Sequence, residues 1–148
     1  MKYVLDSSAI ALILKRLGGK SIDALEESVT IGLAAYELGN ILWKEYTLKG
    51  IISLEEAVKK AEQMAKVLEV IKLENIESAE EFKEVMRIAT ELKLTFYDAS
   101  YLQVAKRMKI PLVTEDKELL EKAEHVNVKA INVNEFLETF RLKKYSLK

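Results

Sequence analysis

The strongest constraint on this chain is its alternation of short β-rich runs with helical stretches. Tyr3-Val4-Leu5, Val29-Thr30-Ile31, Pro111-Leu112-Val113-Thr114 and residues 128–133 read as strands. Val70-Ile71 fits either a strand or a helix end. Helical patterns cover residues 9–17, 21–26, 34–49, 54–68, 79–92, 97–108, 117–123 and 135–140. Strands joined through helices run parallel, so the pattern implies an α/β fold with a parallel sheet and helices on both faces. In such sheets the chemistry gathers at the carboxyl ends of the strands.

Local punctuation supports these boundaries. Ser53-Leu54-Glu55-Glu56 and Ser78-Ala79-Glu80-Glu81 are capping boxes, in which serine accepts from the third helical N–H and glutamate reaches back. Gly18-Gly19 and Gly50 stop the helices before them. Ser7 and Ser8 are the expected caps of the first helix, and Asn134 of the last. With 148 residues, one proline and no linker, the chain reads as one domain, 1–148.

Composition removes several function classes. There are no cysteines, which excludes disulfide scaffolds, Cys-type zinc fingers, iron–sulfur clusters and cysteine nucleophiles. Net charge is −1, so a globally basic nucleic-acid coat is excluded and any nucleic acid needs local basic groups. No apolar run approaches the roughly 18 residues of a membrane span. The first residues carry too short an apolar run for a signal peptide. A cytoplasmic location without membrane contact is the expectation.

The carboxylates are distributed unevenly. Of 24 acidic residues only four are aspartates: Asp6, Asp23, Asp98 and Asp116. Asp6 and Asp116 each follow an apolar strand. Helix capping explains either one, but not both acids at the same end of a parallel sheet. Glu37 has Ala34 and Ile41 three and four residues away, so it projects from the apolar side of its helix. Asp98 shares a stripe with Leu102 and Ala105, and the helix dipole also favours an acid in that first turn. Converging carboxylates repel and raise one another's pKa unless a cation lies between them. All-oxygen ligands suit Mg2+ or Mn2+ rather than zinc. Such an ion polarises a phosphoryl oxygen and activates water. The residues therefore point to a Mg2+- or Mn2+-dependent phosphodiester or phosphate-ester hydrolase.

Four segments together carry a resemblance: Tyr-Val-Leu-Asp-Ser-Ser-Ala-Ile at the start, Tyr-Glu-Leu-Gly-Asn around Glu37, Thr-Phe-Tyr-Asp-Ala-Ser-Tyr around Asp98, and Leu-Val-Thr-Glu-Asp-Lys-Glu-Leu around Asp116. In order and spacing, over nearly the whole chain, they resemble a PIN-domain ribonuclease, closest to the VapC-type toxins of toxin–antitoxin pairs. The resemblance implies a PIN-like three-layer α/β/α sandwich with a central, mostly parallel sheet of four or five strands. It implies that Asp6, Glu37, Asp98 and Asp116 form a catalytic acidic site. Asp6, Asp98 and Asp116 would then bind Mg2+ or Mn2+, and Glu37 would position the attacking water. Thr114 would steady the loop or the metal shell, and Ser7 and Asn40 would contact ligands or phosphate. Ser7 reads equally as a helix cap. Glu115 is expected to face solvent, and His125, in a polar turn, to be a surface residue.

The same resemblance implies an RNA substrate, a homodimer and a small antitoxin. The apolar hairpin over residues 34–68 offers a surface for such partners. Trp43, Tyr46 and Leu48 are candidate anchors there, with core packing the competing reading, favoured for Trp43. Candidate RNA-holding bases are Lys15, Arg16, Lys44, Lys106, Arg107 and Lys109, with a basic tail of Arg141, Lys143, Lys144 and Lys148. Most such runs are solvated faces. A haloacid-dehalogenase-type enzyme needs Asp-x-Asp where this chain has Asp6-Ser7-Ser8, and a receiver domain needs an acidic pair there. The remaining alternatives are a PIN nuclease of RNA processing without an antitoxin and a non-catalytic PIN-like RNA- or protein-binding scaffold.

Overall fold

In the computed structural model the described residues are 2–146, with side chains described as far as Arg141. Five strands form one parallel sheet: β1 (Val4–Leu5), β2 (Val29–Thr30), β3 (Lys72–Leu73), β4 (Leu112–Val113) and β5 (Ala130–Ile131). Their order is β3-β2-β1-β4-β5. The helices are α1 (Ser7–Leu17), α2 (Ser21–Leu25), α3 (Leu33–Thr47), α4 (Leu54–Leu68), α5 (Ala79–Leu92), α6 (Phe96–Met108), α7 (Lys117–Lys122) and α8 (Val133–Ser146). This is the expected α/β/α sandwich, with five parallel strands.

Neighbouring residues of a strand point to opposite faces, and the two-residue strands divide the core accordingly. Val4, Val29 and Leu112 join Val85, Ile88 and Leu102 of α5 and α6 on one face. Leu5, Val113 and Ile131 join Ile10, Ile13 and Leu38 of α1 and α3 on the other. One strand dipeptide thus feeds both layers.

The chain winds outward from β1 through β2 to β3, then returns to lay β4 against the free side of β1. The direction of winding reverses between β1 and β4. At such a switch point the following loops part and leave a crevice at the carboxyl edge. Asp6 follows β1 there, and Thr114-Glu115-Asp116 follows β4.

Several boundaries differ from the sequence expectation. Ser7 and Ser8 do not cap the first helix; Asp6 does, as the capping reading of that acid has it, its Oδ1 accepting the Ala9 N–H at 2.9 Å. Asn132, not Asn134, caps α8: its Oδ1 accepts from Glu135 N at 2.9 Å. Asn134 instead accepts a hydrogen bond from Arg16. The third strand is Lys72–Leu73, one step beyond Val70-Ile71, because Lys72 N and Glu74 N bond to the β2 edge at Ser28 O and Thr30 O. The serine half of each capping box forms, Ser53 accepting from Glu56 N and Ser78 from Glu81 N, each at 3.1 Å, while Glu56 accepts from the Ser53 hydroxyl at 3.3 Å and Glu81 from Arg107 at 2.9 Å. The stripe on α4, however, leaves no residue of that helix fully buried.

Candidate active site

The site builds outward from Asp6. Parallel pairing of Leu5 with Val113 sets the residue after β1 beside the residue after β4. The Thr114 hydroxyl donates to Asp6 Oδ2 across that seam. Ser8 donates to Asp6 Oδ1 at 2.6 Å, and its oxygen also accepts from Glu115 N at 3.0 Å. Asp6 is 5% exposed. Burial pushes its carboxyl up to about 6, against the lowering pull of the Ser8, Thr114 and Ala9 hydrogen bonds; the negative charge of Asp98 adds to the rise.

Asp116 caps α7, its Oδ1 accepting from Glu118 N at 2.8 Å and Leu119 N at 3.3 Å. Its own N–H donates to the Thr114 hydroxyl at 3.0 Å, so Thr114 ties the two acids together. Asp98 stands in the first turn of α6 while Thr95 does the capping, accepting from Asp98 N at 3.1 Å. That leaves the Asp98 carboxylate free of helix-cap duty. It is half-buried, and burial, then the charges of Asp116 and Glu37, raise its pKa above the ordinary carboxylate value. Glu37, half-buried on α3, accepts from the Tyr101 hydroxyl at 2.6 Å. Burial first, and then the acceptor Glu37, push the Tyr101 phenol far above its usual range, so it stays a donor.

The four predicted acids therefore come from α3, α6 and the loops after β1 and β4 into one electrostatic field. Among the described residues none of them is ion-paired with a lysine or arginine. Among the described residues, also, no three acidic or histidine side chains are already arranged to hold a metal ion. The donor chemistry still fits a hard divalent cation: every donor is a carboxylate or hydroxyl oxygen, and the repulsion felt at Asp98 is what a cation relieves.

The other expectations divide. Thr114 is fully buried and central. Ser7 adjoins Asp6 and faces the Tyr101 hydroxyl, whose pKa it slightly lowers. Asn40 is exposed on α3, one turn beyond Glu37. Glu115 does more than face solvent, for its Oε1 accepts from Val133 N at 2.8 Å at the start of α8. His125 is exposed, as expected. Trp43 is 51% exposed, so the core reading favoured for it is wrong; Tyr46 and Leu48 are exposed too. Two residues were missed. Tyr101 lies three positions after Asp98, on the same helical face, whereas Ser8 is brought to the Asp6 carboxylate by the turn that opens α1.

The proposed RNA-holding bases are partly committed elsewhere. Lys106 pairs with Glu84 at 3.1 Å, and Arg107 with Glu81 at 2.9 Å and Glu74 at 3.2 Å. Arg141 is exposed, and the rest of the basic tail lies outside the described side chains.

A parallel sheet in this order, with acids at its switch point and on two flanking helices, defines a class. Residues 3–125 match the PIN domain, and the chain belongs to that family. It is 38% identical over 124 residues to Exonuclease VapC9 of Pyrobaculum aerophilum, covering 82% of this chain and 86% of that protein. It is 32% identical over 127 residues to Ribonuclease VapC3 of the same organism, covering 82% and 95%. The crystal structure of PAE2754 from Pyrobaculum aerophilum superposes with a TM-score of 0.77 at 35% identity, over 96% of this chain and 99% of that one.

Proposed function

We propose that this chain is a Mg2+- or Mn2+-dependent endoribonuclease, a VapC-like toxin acting in the cytoplasm. The observation that carries the reading is the mutual field of the four acids, seen in the burial and charge that raise Asp98. The names of the two relatives, an exonuclease and a ribonuclease, support nucleic acid as the substrate class.

In this reading Asp6, Asp98 and Asp116 would hold the divalent cation, which would supply Lewis acidity at a phosphoryl oxygen and make water more acidic. The protein's own residues do the positioning. Thr114 and Ser8 hold the Asp6 carboxylate in one rotamer by a hydrogen bond to each oxygen. Thr114 also holds the Asp116 backbone. Tyr101 occupies one oxygen of Glu37 and leaves the other to accept a proton from the attacking water. Burial of Asp6 shields its carboxylate from bulk water and strengthens its electrostatics.

The partners follow from the surface. Trp43, Leu48, Ile51, Leu54 and Val58 are exposed on and between α3 and α4. An apolar hairpin of that kind supports a protein interface, which we assign to a second copy and to a small antitoxin. No helix of the described residues is long and apolar enough to cross a membrane.

The test is cleavage of a mixed RNA pool by purified chain in Mg2+, Mn2+ or EDTA, beside Asp98→Asn. Cleavage that requires metal and disappears in the variant supports the reading. Folded, partner-free protein that binds RNA equally well with EDTA or with Asp98→Asn, and cuts nothing, overturns it in favour of a binding scaffold.

A further inference from the structure

Beside the acids, at the carboxyl edge of β2 and β3, lies an open cleft of about 510 Å³. Ile31 and Leu33 form one wall, Ile76 another, and Phe96 and Tyr97 of α6 a third. Phe96 is braced by Phe82, ring centroids 5.8 Å apart. Tyr97 is 60% exposed, a large aromatic surface open to solvent. It precedes Asp98 directly.

The cleft runs into the acids by helical spacing. Leu33 and Glu37 are four residues apart on α3, and Tyr97 and Tyr101 four apart on α6, so each pair shares a face one turn apart. The hydrogen bond from Tyr101 to Glu37 joins the two helices at the far end of that seam. The cleft wall formed by Leu33 and Tyr97 therefore lies about one helical turn, roughly 5 Å along each helix, from the Tyr101–Glu37 contact.

The lining chooses among the parts of a nucleotide. The one charged side chain in it is Glu77, which repels phosphate. Asn75 offers a donor: its Oδ1 is occupied by Gly32 N at 2.7 Å, and its amide NH2 makes no hydrogen bond among the described residues. Ser100 donates to Phe96 O at 2.8 Å, leaving its oxygen as an acceptor. An aromatic face with a fixed donor and acceptors at its rim suits a flat, neutral, hydrogen-bonding ring.

We infer that this cleft takes one unstacked base of a single-stranded RNA, laid against Tyr97, while the adjoining phosphate lies at the acids. The inference rests on the proposed reading for the identity of the polymer. It adds the subsite that holds a base and Tyr97 as its platform.

The test is equilibrium binding of a fluorescein-labelled single-stranded oligoribonucleotide and of the same oligomer with abasic positions, by anisotropy, to the full chain. It is run in Mg2+ and in EDTA, with probe integrity read on a gel. Wild type should prefer the base-bearing oligomer by about 5- to 160-fold, the range of one base–aromatic stack. Tyr97→Ala should bring the ratio near one, and Tyr97→Phe should keep it. A wild-type ratio of one, or a Tyr97→Ala ratio equal to wild type, overturns the inference. So does a chain that binds neither oligomer but self-associates through Tyr97, read by sedimentation, which assigns the cleft to a second copy. The gel separates the two proposals: base preference without cleavage sinks the nuclease alone, and cleavage without Tyr97-dependent preference sinks the base subsite alone.

Discussion

Tyr101 and Glu37 meet through a 2.6 Å hydrogen bond that spans 64 positions of sequence and ties α6 to α3 beside the acids. Tyr101 is 1% exposed, so its ring is packed as core while its hydroxyl serves the site. The phenol's raised pKa keeps the proton on the donor side of the bond. One residue thus couples the packing of a helix to the direction of a carboxylate.

Tyr101→Phe keeps the ring and removes the hydroxyl. The expected cost in stability is about 0.5–1.5 kcal/mol, the net worth of a hydrogen bond. If Glu37 orients water, kcat for RNA should fall on the order of tenfold with KM nearly unchanged. Denaturant melts beside steady-state kinetics decide it. A loss of stability with full kcat would make the pair structural.

Asp98→Asn should melt higher than wild type in EDTA, because it removes a carboxylate that burial and the charges of Asp116 and Glu37 already disfavour. Added Mg2+ should raise the wild-type Tm more than that of the variant, since binding to the native state stabilises by mass action. Thermal melts in a matrix of two proteins and two buffers show it. A variant that melts lower in EDTA and gains equally from Mg2+ would assign Asp98 to structure.

Asp6 gives a pH dependence of unusual sign. Its folded pKa, about 6, lies above the ordinary 3.8, so the folded chain binds more protons than the unfolded one between those values. Its contribution to stability is full below about pH 3.8 and is lost as pH rises through about 6. In metal-free buffer the stability of Asp6→Asn minus that of wild type should be near zero at pH 4. It should grow by up to roughly 3 kcal/mol by pH 7. Urea unfolding across that range measures the difference. A difference that shrinks with pH would place the Asp6 pKa below 3.8.

Asp116 is both a proposed ligand and a cap, and two substitutions separate the roles. Asp116→Asn retains an oxygen for Glu118 N and Leu119 N and should keep the stability of α7. Asp116→Ala should lose about 0.5–2 kcal/mol. Both should lose metal-dependent cleavage. Isothermal titration with Mn2+ beside chemical denaturation provides the two readouts. Cleavage surviving in Asp116→Asn would leave only the cap.

Short-range physics wrote much of this molecule into its sequence. Helix periodicity, the serine caps at Ser53 and Ser78 and the stop at Gly18 depend on residues within four positions of one another. They form where the pattern places them. The acids were legible for the same reason: Asp6 and Asp116 end apolar strands, and Glu37 and Asp98 sit on faces otherwise apolar. The Asn132 cap was misplaced by two residues, because either asparagine satisfies the local rule and only the docked end of α8 selects one. Trp43 and the stripe of α4 were misjudged because amphipathicity says that a face is apolar, not that anything covers it.

The tertiary structure decided which distant groups meet. Strand order lays β4 on β1, and that places the Thr114 hydroxyl, 108 positions away, against Asp6. The crossing of α3 and α6 aims Tyr101 at Glu37 and opens the cleft at Tyr97. Parallel strands require crossovers, and the choice of side at each crossover is made by packing of whole layers rather than by any local run of residues. The sequence by itself determined most of the elements, the serine caps at Ser53 and Ser78 and the supply of acids at the strand ends. Only the assembled sheet decided that those acids share one field.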